Sequence, residues 1–382
     1  MAPTADTTAL FYNRRAVAEA PYDAEGRAEI LSKAAFIRAK AEITTWPGYA
    51  PTPLRVLAGL AQANGIGTIF YKDEATRFGL GSFKALGGAY AVFTLLQGIG
   101  TGGAADITVT CATDGNHGRS VAWGARTFGC RCVIYVHETV SQGRCDVIAS
   151  FGAEVRRVIG TYDDAVRQAA ADAAREGWHV VSDTSYEGYI DVPRDVMLGY
   201  AVMVDEALRQ LPAGTIPTHV FVQGGVGGLA AAVCAHLWEE LGPKRPRFVV
   251  VEPDRADCLY RSAVAGHPTP AEGALDTIMA GLACGEVSLL AWRILETGAD
   301  AFMTIGDDAA ADTMRLLAVS NPPIVAGESG VAGLAGLLSL DAAGRAALGL
   351  NSDSVVLAFG TEGATDPEIY RRIVGRSPQE VA

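Results

Sequence analysis

Several chemistries are missing from this chain. Its cysteines (Cys111, Cys130, Cys132, Cys145, Cys234, Cys258 and Cys284) form no CxxC pair, and its six histidines form no HxH or HExxH. The ligand spacing of a metal site is therefore absent, and the odd cysteine count points to buried free thiols rather than a disulfide framework. No stretch reaches the roughly 18 consecutive apolar residues that a membrane span requires. The opening segment MAPTADTTALFYNRR has no basic start followed by an apolar run, so neither a signal peptide nor an anchor is expected. Positive charge is scarce too: 31 Lys plus Arg against 43 Asp plus Glu leave a formal charge of −12. That balance argues against nucleic acid or an anionic membrane as partner and for a small molecule. No internal repeat or low-complexity linker interrupts the chain.

What remains is ample for a globular protein. At about 150 residues per domain, 382 residues predict two domains, or one domain with a large insertion, and 49% hydrophobic residues are ample for a core. Short β-branched runs alternate with Ala-rich amphipathic stretches, the pattern of an α/β protein with largely parallel sheets. Strands are expected at 67–73, 107–113, 131–136, 155–160, 179–183, 219–223, 247–253 and 354–360, and helices at 83–97, 115–129, 162–177 and 227–241. Two strand–helix series, near 98–200 and 205–360, are joined by DVPRDVMLGYAVMVDEALRQL, a helix bridging two lobes. The cleft between them is the expected binding site.

Three loops carry chemistry. In KDEATRFGLGSFKALGGAY, Gly79 and Gly81 allow a tight turn, Ser82 is placed to cap a helix, and Lys84 falls in its first turn. The helix dipole there is expected to depress the amine's pKa and favour a neutral nucleophile; a solvated surface lysine is the plainer reading. In HVFVQGGVGGLAAAV, the backbone N–H groups of Gly224, Gly225, Val226, Gly227 and Gly228 suit a phosphate. The same residues fit GxGxxA, with Glu252 placed as a ribose-binding acid, and a plain strand–helix turn is a third possibility. In CATDGNHGRSVAW, Asn116 and His117 open a helix beside Gly115 and Gly118, and His117 reads as structural at least as readily as catalytic.

GSFK with its trailing glycine pair, TDGNHG about thirty residues later and GGVGG after about another hundred come in the order found in fold-type II (tryptophan synthase β-like) pyridoxal-phosphate enzymes. TIMAGLACGE, GESG and FGTEGATDP extend the match over most of the chain, and with DTSYEGY it is most similar to the 2,3-diaminopropionate ammonia-lyase family. The resemblance implies two α/β domains with open, mostly parallel sheets and the active site in the cleft. A large cofactor-binding domain would comprise 1–97 and 205–382, and a small one 98–204. It implies that Lys84 forms the Schiff base with pyridoxal 5'-phosphate and is the base on one face. Asn116 would bond the ring hydroxyl, Gly224–Gly228 the phosphate, and Thr361 the pyridine nitrogen. Asp114 and Asp183 match that family's two active-site acids. Related dehydratases usually have Ser or Ala where Asp114 stands, so a carboxylate there is informative.

The implied activity is α,β-elimination of D- and/or L-2,3-diaminopropionate to pyruvate and ammonia through 2-aminoacrylate, by a cytoplasmic homodimer in amino acid catabolism. Cys258 and Cys284 fall where the family allows a pair, against which a reducing cytoplasm favours thiols. A serine or threonine dehydratase, or a lyase for another β-substituted amino acid, is the near alternative. A nicotinamide-dependent dehydrogenase built on GGVGGLA, or a silent ligand sensor, is the distant one.

Overall fold

The computed structural model describes residues 8–17, 19–100 and 103–382, so the first seven residues of the opening segment read above lie outside it. In chain order the strands are β1 (Ala9–Tyr12), β2 (Leu54–Val56), β3 (Thr68–Asp73), β4 (Thr108–Ala112), β5 (Arg131–His137), β6 (Glu154–Val158), β7 (His179–Val180), β8 (His219–Gln223), β9 (Arg247–Pro253), β10 (Ala301–Ile305) and β11 (Val355–Gly360). They form a seven-stranded sheet, β1-β10-β9-β8-β11-β3-β2, and a four-stranded sheet, β6-β5-β4-β7. The small sheet is parallel throughout. The large sheet is parallel inside and takes its antiparallel strands, β1 and β2, at its edges.

The apolar runs explain the large sheet. Val220 and Val222 of β8, Phe248 and Val250 of β9, and Leu357 and Phe359 of β11 enter one core. Their neighbours Phe221, Val249, Val251, Val356 and Ala358 enter another on the opposite face. A strand covered on both faces must be apolar at successive positions, so these runs are continuous rather than alternating. The helix Asp191–Gln210 runs between β7 and β8, as the bridging segment predicts. It crosses the helix Lys84–Ile99 at close range: a Cβ on Gly199 would stand 2.1 Å from the Leu86 carbonyl oxygen, and one on Gly87 2.4 Å from the Tyr200 ring.

Beside that crossing lies a fully buried ionic cluster. Lys72 Nζ meets Glu206 Oε2 at 2.7 Å, and Arg77 meets Glu206 at 2.7 Å and Glu74 at 2.8 Å. Thr52, Ala50 and Gln210 supply further hydrogen bonds. Two cations face two anions, so the cluster as a whole is neutral; the loss of any one member would strand a charge away from water.

Three strands are missing from the sequence reading. β1 and β2 are four- and three-residue edge strands, half exposed, and β10, AFMTI, is too short for its periodicity to separate strand from helix. The run at 179–183 is strand only as far as Val180. Val181 still donates its N–H to the Thr110 carbonyl, and the chain then leaves the sheet toward the cleft. Among the described residues no helix is long and apolar enough to cross a membrane.

Candidate active site

The carboxyl ends of the parallel strands assemble the site, as expected of open α/β sheets. Lys84 is the first residue of its helix, approached through Gly79 and Gly81, whose φ values are +71° and +79°. The N-cap is Phe83 and no side chain caps the helix, so Ser82 does not have the role expected of it; it bridges to Glu362 instead. Lys84 Nζ lies 2.5 Å from Asp183 Oδ2, the two side chains being 19% and 16% exposed, with the Phe83 and Tyr200 rings 5.5 and 5.8 Å away. Burial, the largest influence, pushes the amine's pKa down, but the charge and hydrogen bond of Asp183 with the nearby Tyr200 and Cys284 side chains together outweigh it and the net shift is upward. This reverses the expectation drawn from the helix dipole. The Asp183 carboxyl, opposed by burial but held by Lys84 and then His117, is pulled below the usual carboxylate range.

The loop after β4 brings the other predicted residues in. Thr113 Oγ1 accepts the N–H groups of Gly115 and Gly118 and fixes its shape. Asp114 Oδ1 lies 2.7 Å from His137 Nε2, and Arg144 donates to the Asp114 carbonyl at 3.1 Å. Asn116 donates to Glu362 Oε2 at 2.5 Å. His117 Nε2 meets the Val181 carbonyl at 2.7 Å. Its buried Nδ1 has no hydrogen-bond partner among the described residues and stands 3.9 Å from Asp183 Oδ2. Burial holds the imidazole's pKa down.

Across the cleft, the glycine loop turns through Gly225 and Gly227, whose φ values of +64° and +97° belong to a region that glycine alone enters freely. The N–H groups of Gly225 and Val226, and that of Gly228 at the start of the helix Gly228–Leu241, have no partner among the described residues. A Cβ on Gly228 would be 3.7 Å from the Asp183 carbonyl, and one on Gly225 3.7 Å from Cys284 Sγ, so the loop borders both. Adjacent strands β8 and β11 end in Gln223 and Gly360, and Gln223 Nε2 donates to Thr361 Oγ1 at 2.6 Å. The Thr361 oxygen thus accepts from within the protein and its own proton remains for another acceptor.

The dinucleotide reading fails here. Glu252 is buried beneath Gly224 and accepts the N–H groups of Leu259 and Tyr260 at 3.0 and 2.7 Å. It serves the next helix and cannot face a ribose. Burial pushes its carboxyl up to about 8. Cys258 and Cys284 are both free thiols. Sequence reasoning passes over Gln223, His137, Glu362 and Tyr200. Gln223 alone leaves a trace, as the polar residue that closes a buried strand directly before the glycines.

A two-sheet α/β fold whose cleft joins a lysine at a helix start, an N–H cradle and an uncommitted hydroxyl is the frame of an enzyme that handles a phosphorylated carbonyl cofactor. Residues 45–360 match the model of the family described as pyridoxal-phosphate dependent enzyme, and the chain belongs to that family. It is 42% identical to the diaminopropionate ammonia-lyase of Escherichia coli (strain K12) over 357 residues, 88% of this chain and 90% of that one. The crystal structure of the Escherichia coli diaminopropionate ammonia-lyase in complex with an aminoacrylate-PLP azomethine reaction intermediate superposes with a TM-score of 0.86 at 40% identity, covering 96% of this chain and 97% of that one. The same enzyme in complex with D-serine gives 0.86 at 38% identity and 99% coverage of both chains. The cleft's own donors fit the cofactor: the unpartnered N–H groups of Gly225, Val226 and Gly228 suit a phosphate, Thr361 a ring nitrogen and Lys84 an aldehyde carbon.

Proposed function

We propose that the chain is a pyridoxal-phosphate-dependent carbon–nitrogen lyase, which carries out α,β-elimination on D- and/or L-2,3-diaminopropionate and releases pyruvate and ammonia. The observation that carries this reading is the presence of two carboxylates at the cleft, Asp183 on the lysine and Asp114 at the end of β4, in a chain 42% identical to a diaminopropionate ammonia-lyase. A substrate with two amino groups suits an acidic pocket, where a carboxylate holds an ammonium by a charge-assisted hydrogen bond. Bound pyridoxal phosphate supplies an electron sink that acidifies the substrate's α-carbon and lets the β-amine leave.

The chain's own residues do the rest. Lys84 carries its proton against Asp183 Oδ2; it would give that proton up to hold the cofactor and, once displaced by the substrate's amine, would be the base for the α-proton on its own side. Asp114 is the base for the other enantiomer, from the opposite face. The Gly224–Gly228 loop holds the phosphate and Asn116 the ring hydroxyl. Thr361 donates its free proton to the ring nitrogen, a neutral partner that draws little charge into the ring and so favours elimination. The proposal includes a small domain of 98–204 closing on a large domain of 1–97 and 205–382; that strands β4–β7 all fall within 108–180 supports it. It also includes a homodimer working in the cytoplasm in amino acid catabolism, for which sedimentation is the direct check.

The holoenzyme is expected to be yellow, with a band that borohydride bleaches and that Lys84→Ala loses together with pyruvate formation. Asp114→Asn is expected to abolish turnover of one enantiomer, D, and spare the other. A wild-type protein faster on serine than on either diamine overturns the substrate assignment and leaves the cofactor chemistry standing.

A further inference from the structure

β4 and β5 run side by side in parallel, with Ala112 opposite Tyr135. Two residues further along each strand stand Asp114 and His137, and the register alone sets them abreast at the mouth of the cleft. Their side chains meet: His137 Nε2 is 2.7 Å from Asp114 Oδ1, and Thr139 Oγ1 is 3.0 Å from His137 Nδ1. The pair is half sheltered, with the histidine side chain 17% and the aspartate 32% exposed.

We infer that His137 is a positioning residue for Asp114, pinning one carboxylate oxygen so that the other is left to meet the substrate's α-proton. An ionised carboxylate only accepts hydrogen bonds, so the ring donates from Nε2, and Nδ1 is then the acceptor for the Thr139 hydroxyl. Both ring nitrogens of His137 have a partner in that one tautomer. Asp114 follows a β-strand and precedes a helix, where a lone side chain is free to turn about its first torsion. A fixed Oδ1 removes that freedom, and placement within about half an ångström is what a proton-abstracting group requires.

The surroundings leave this role to His137. Arg144 donates to the Asp114 backbone carbonyl and spends its remaining donors on Glu328 and Asp366. Arg157 reaches only carbonyl oxygens, glutamine and sulfur around 137–145. The Tyr162 hydroxyl and the Cys284 thiol, both pushed up by burial and then by Asp183, feel the Asp114 charge without bonding it.

The inference rests on Asp114 being the base for one enantiomer, and the test separates the two claims. In the unliganded protein with 15N-labelled histidine, the His137 ring is expected to carry its proton on Nε2, with signals that move in Asp114→Asn. In the holoenzyme, His137→Ala is expected to lower kcat on the Asp114-dependent enantiomer roughly tenfold or more, the scale of one hydrogen bond to a charged group, with KM and the other enantiomer within about twofold. His137→Gln, which offers an N–H at nearly the same reach, is expected to recover most of that loss. Equal losses on both enantiomers, or no recovery with Gln, overturn the inference, as do ring signals indifferent to Asp114. If Asp114→Asn leaves the enantiomer ratio unchanged, the reading of Asp114 falls and the inference with it. If that ratio changes in Asp114→Asn but not in His137→Ala, the inference alone falls.

Discussion

At the scale of single residues, the decisive contest is over the proton on Lys84. A helix N-terminus disfavours a cation by roughly 0.3–1 kcal/mol, whereas an opposite charge in contact moves a pKa by about one to three units, each worth about 1.4 kcal/mol. Asp183 at 2.5 Å therefore wins over the dipole, and its charge and hydrogen bond together with the Tyr200 and Cys284 side chains outweigh burial, so the amine stays charged. Asp183→Asn removes the charge that raises the lysine's pKa most and leaves burial, which lowers it. The amine should then lose its proton at lower pH. On mixing apo-protein with pyridoxal phosphate, the growth of the yellow band should rise with pH in both proteins, with the rise in the variant displaced toward acid. An undisplaced profile would mean that Asp183 does not govern that proton.

At the scale of elements, the lysine is aimed by the crossing of two helices. The methyl group in Gly199→Ala would meet the Leu86 carbonyl oxygen, a backbone atom that no rotamer change can move aside. The helices must part, at about 1–3 kcal/mol or more for overpacking of this kind, and thermal unfolding should show a lower Tm together with weaker cofactor retention. Such contacts mark the limit of what the sequence reveals. Strands β3, β4, β5, β8, β9 and β11 are legible as apolar runs between turn signals, and the five long helices, the bridging one included, as amphipathic stretches. The loops bearing Lys84, Asp114, Asn116 and Thr361 are legible as motifs. The partners of those residues are not: Gln223 lies against Thr361, Glu362 against Asn116 and His137 against Asp114 only because strands or loops distant in sequence share a register. The pKa of Lys84 was misjudged for the same reason, since Asp183 lies 99 residues away along the chain.

At the scale of the whole molecule, polar groups tie the small sheet's loops to the large sheet's. Arg119 donates to the Leu80 carbonyl, Asn116 to Glu362, and Arg144 meets Glu328 and Asp366 at 3.2 and 3.6 Å. Burial, and next the nearby Glu362 charge, push the Glu328 carboxyl up to about 7, and Arg144 is the cation that draws it back toward the charged form. Arg144→Met should loosen the helix Gln142–Ser150, read as faster amide exchange over 142–150 with β8 and β11 unchanged; equal protection in the variant would deny the contact any role in holding the two sheets. The buried ionic cluster also orders events in time. Lys72 leaves the ribosome 134 residues before Glu206, and β3 pairs with β11, which is made later still. Until then the growing chain carries in β3 a cation without its Glu206 carboxylate, and of its two neighbouring strands only β2 has been made. The small sheet, with every strand between 108 and 180, is already complete by that point. Translation therefore delivers every strand of the small sheet while the large one is still incomplete, β1 having to wait for β10 and β3 for β11.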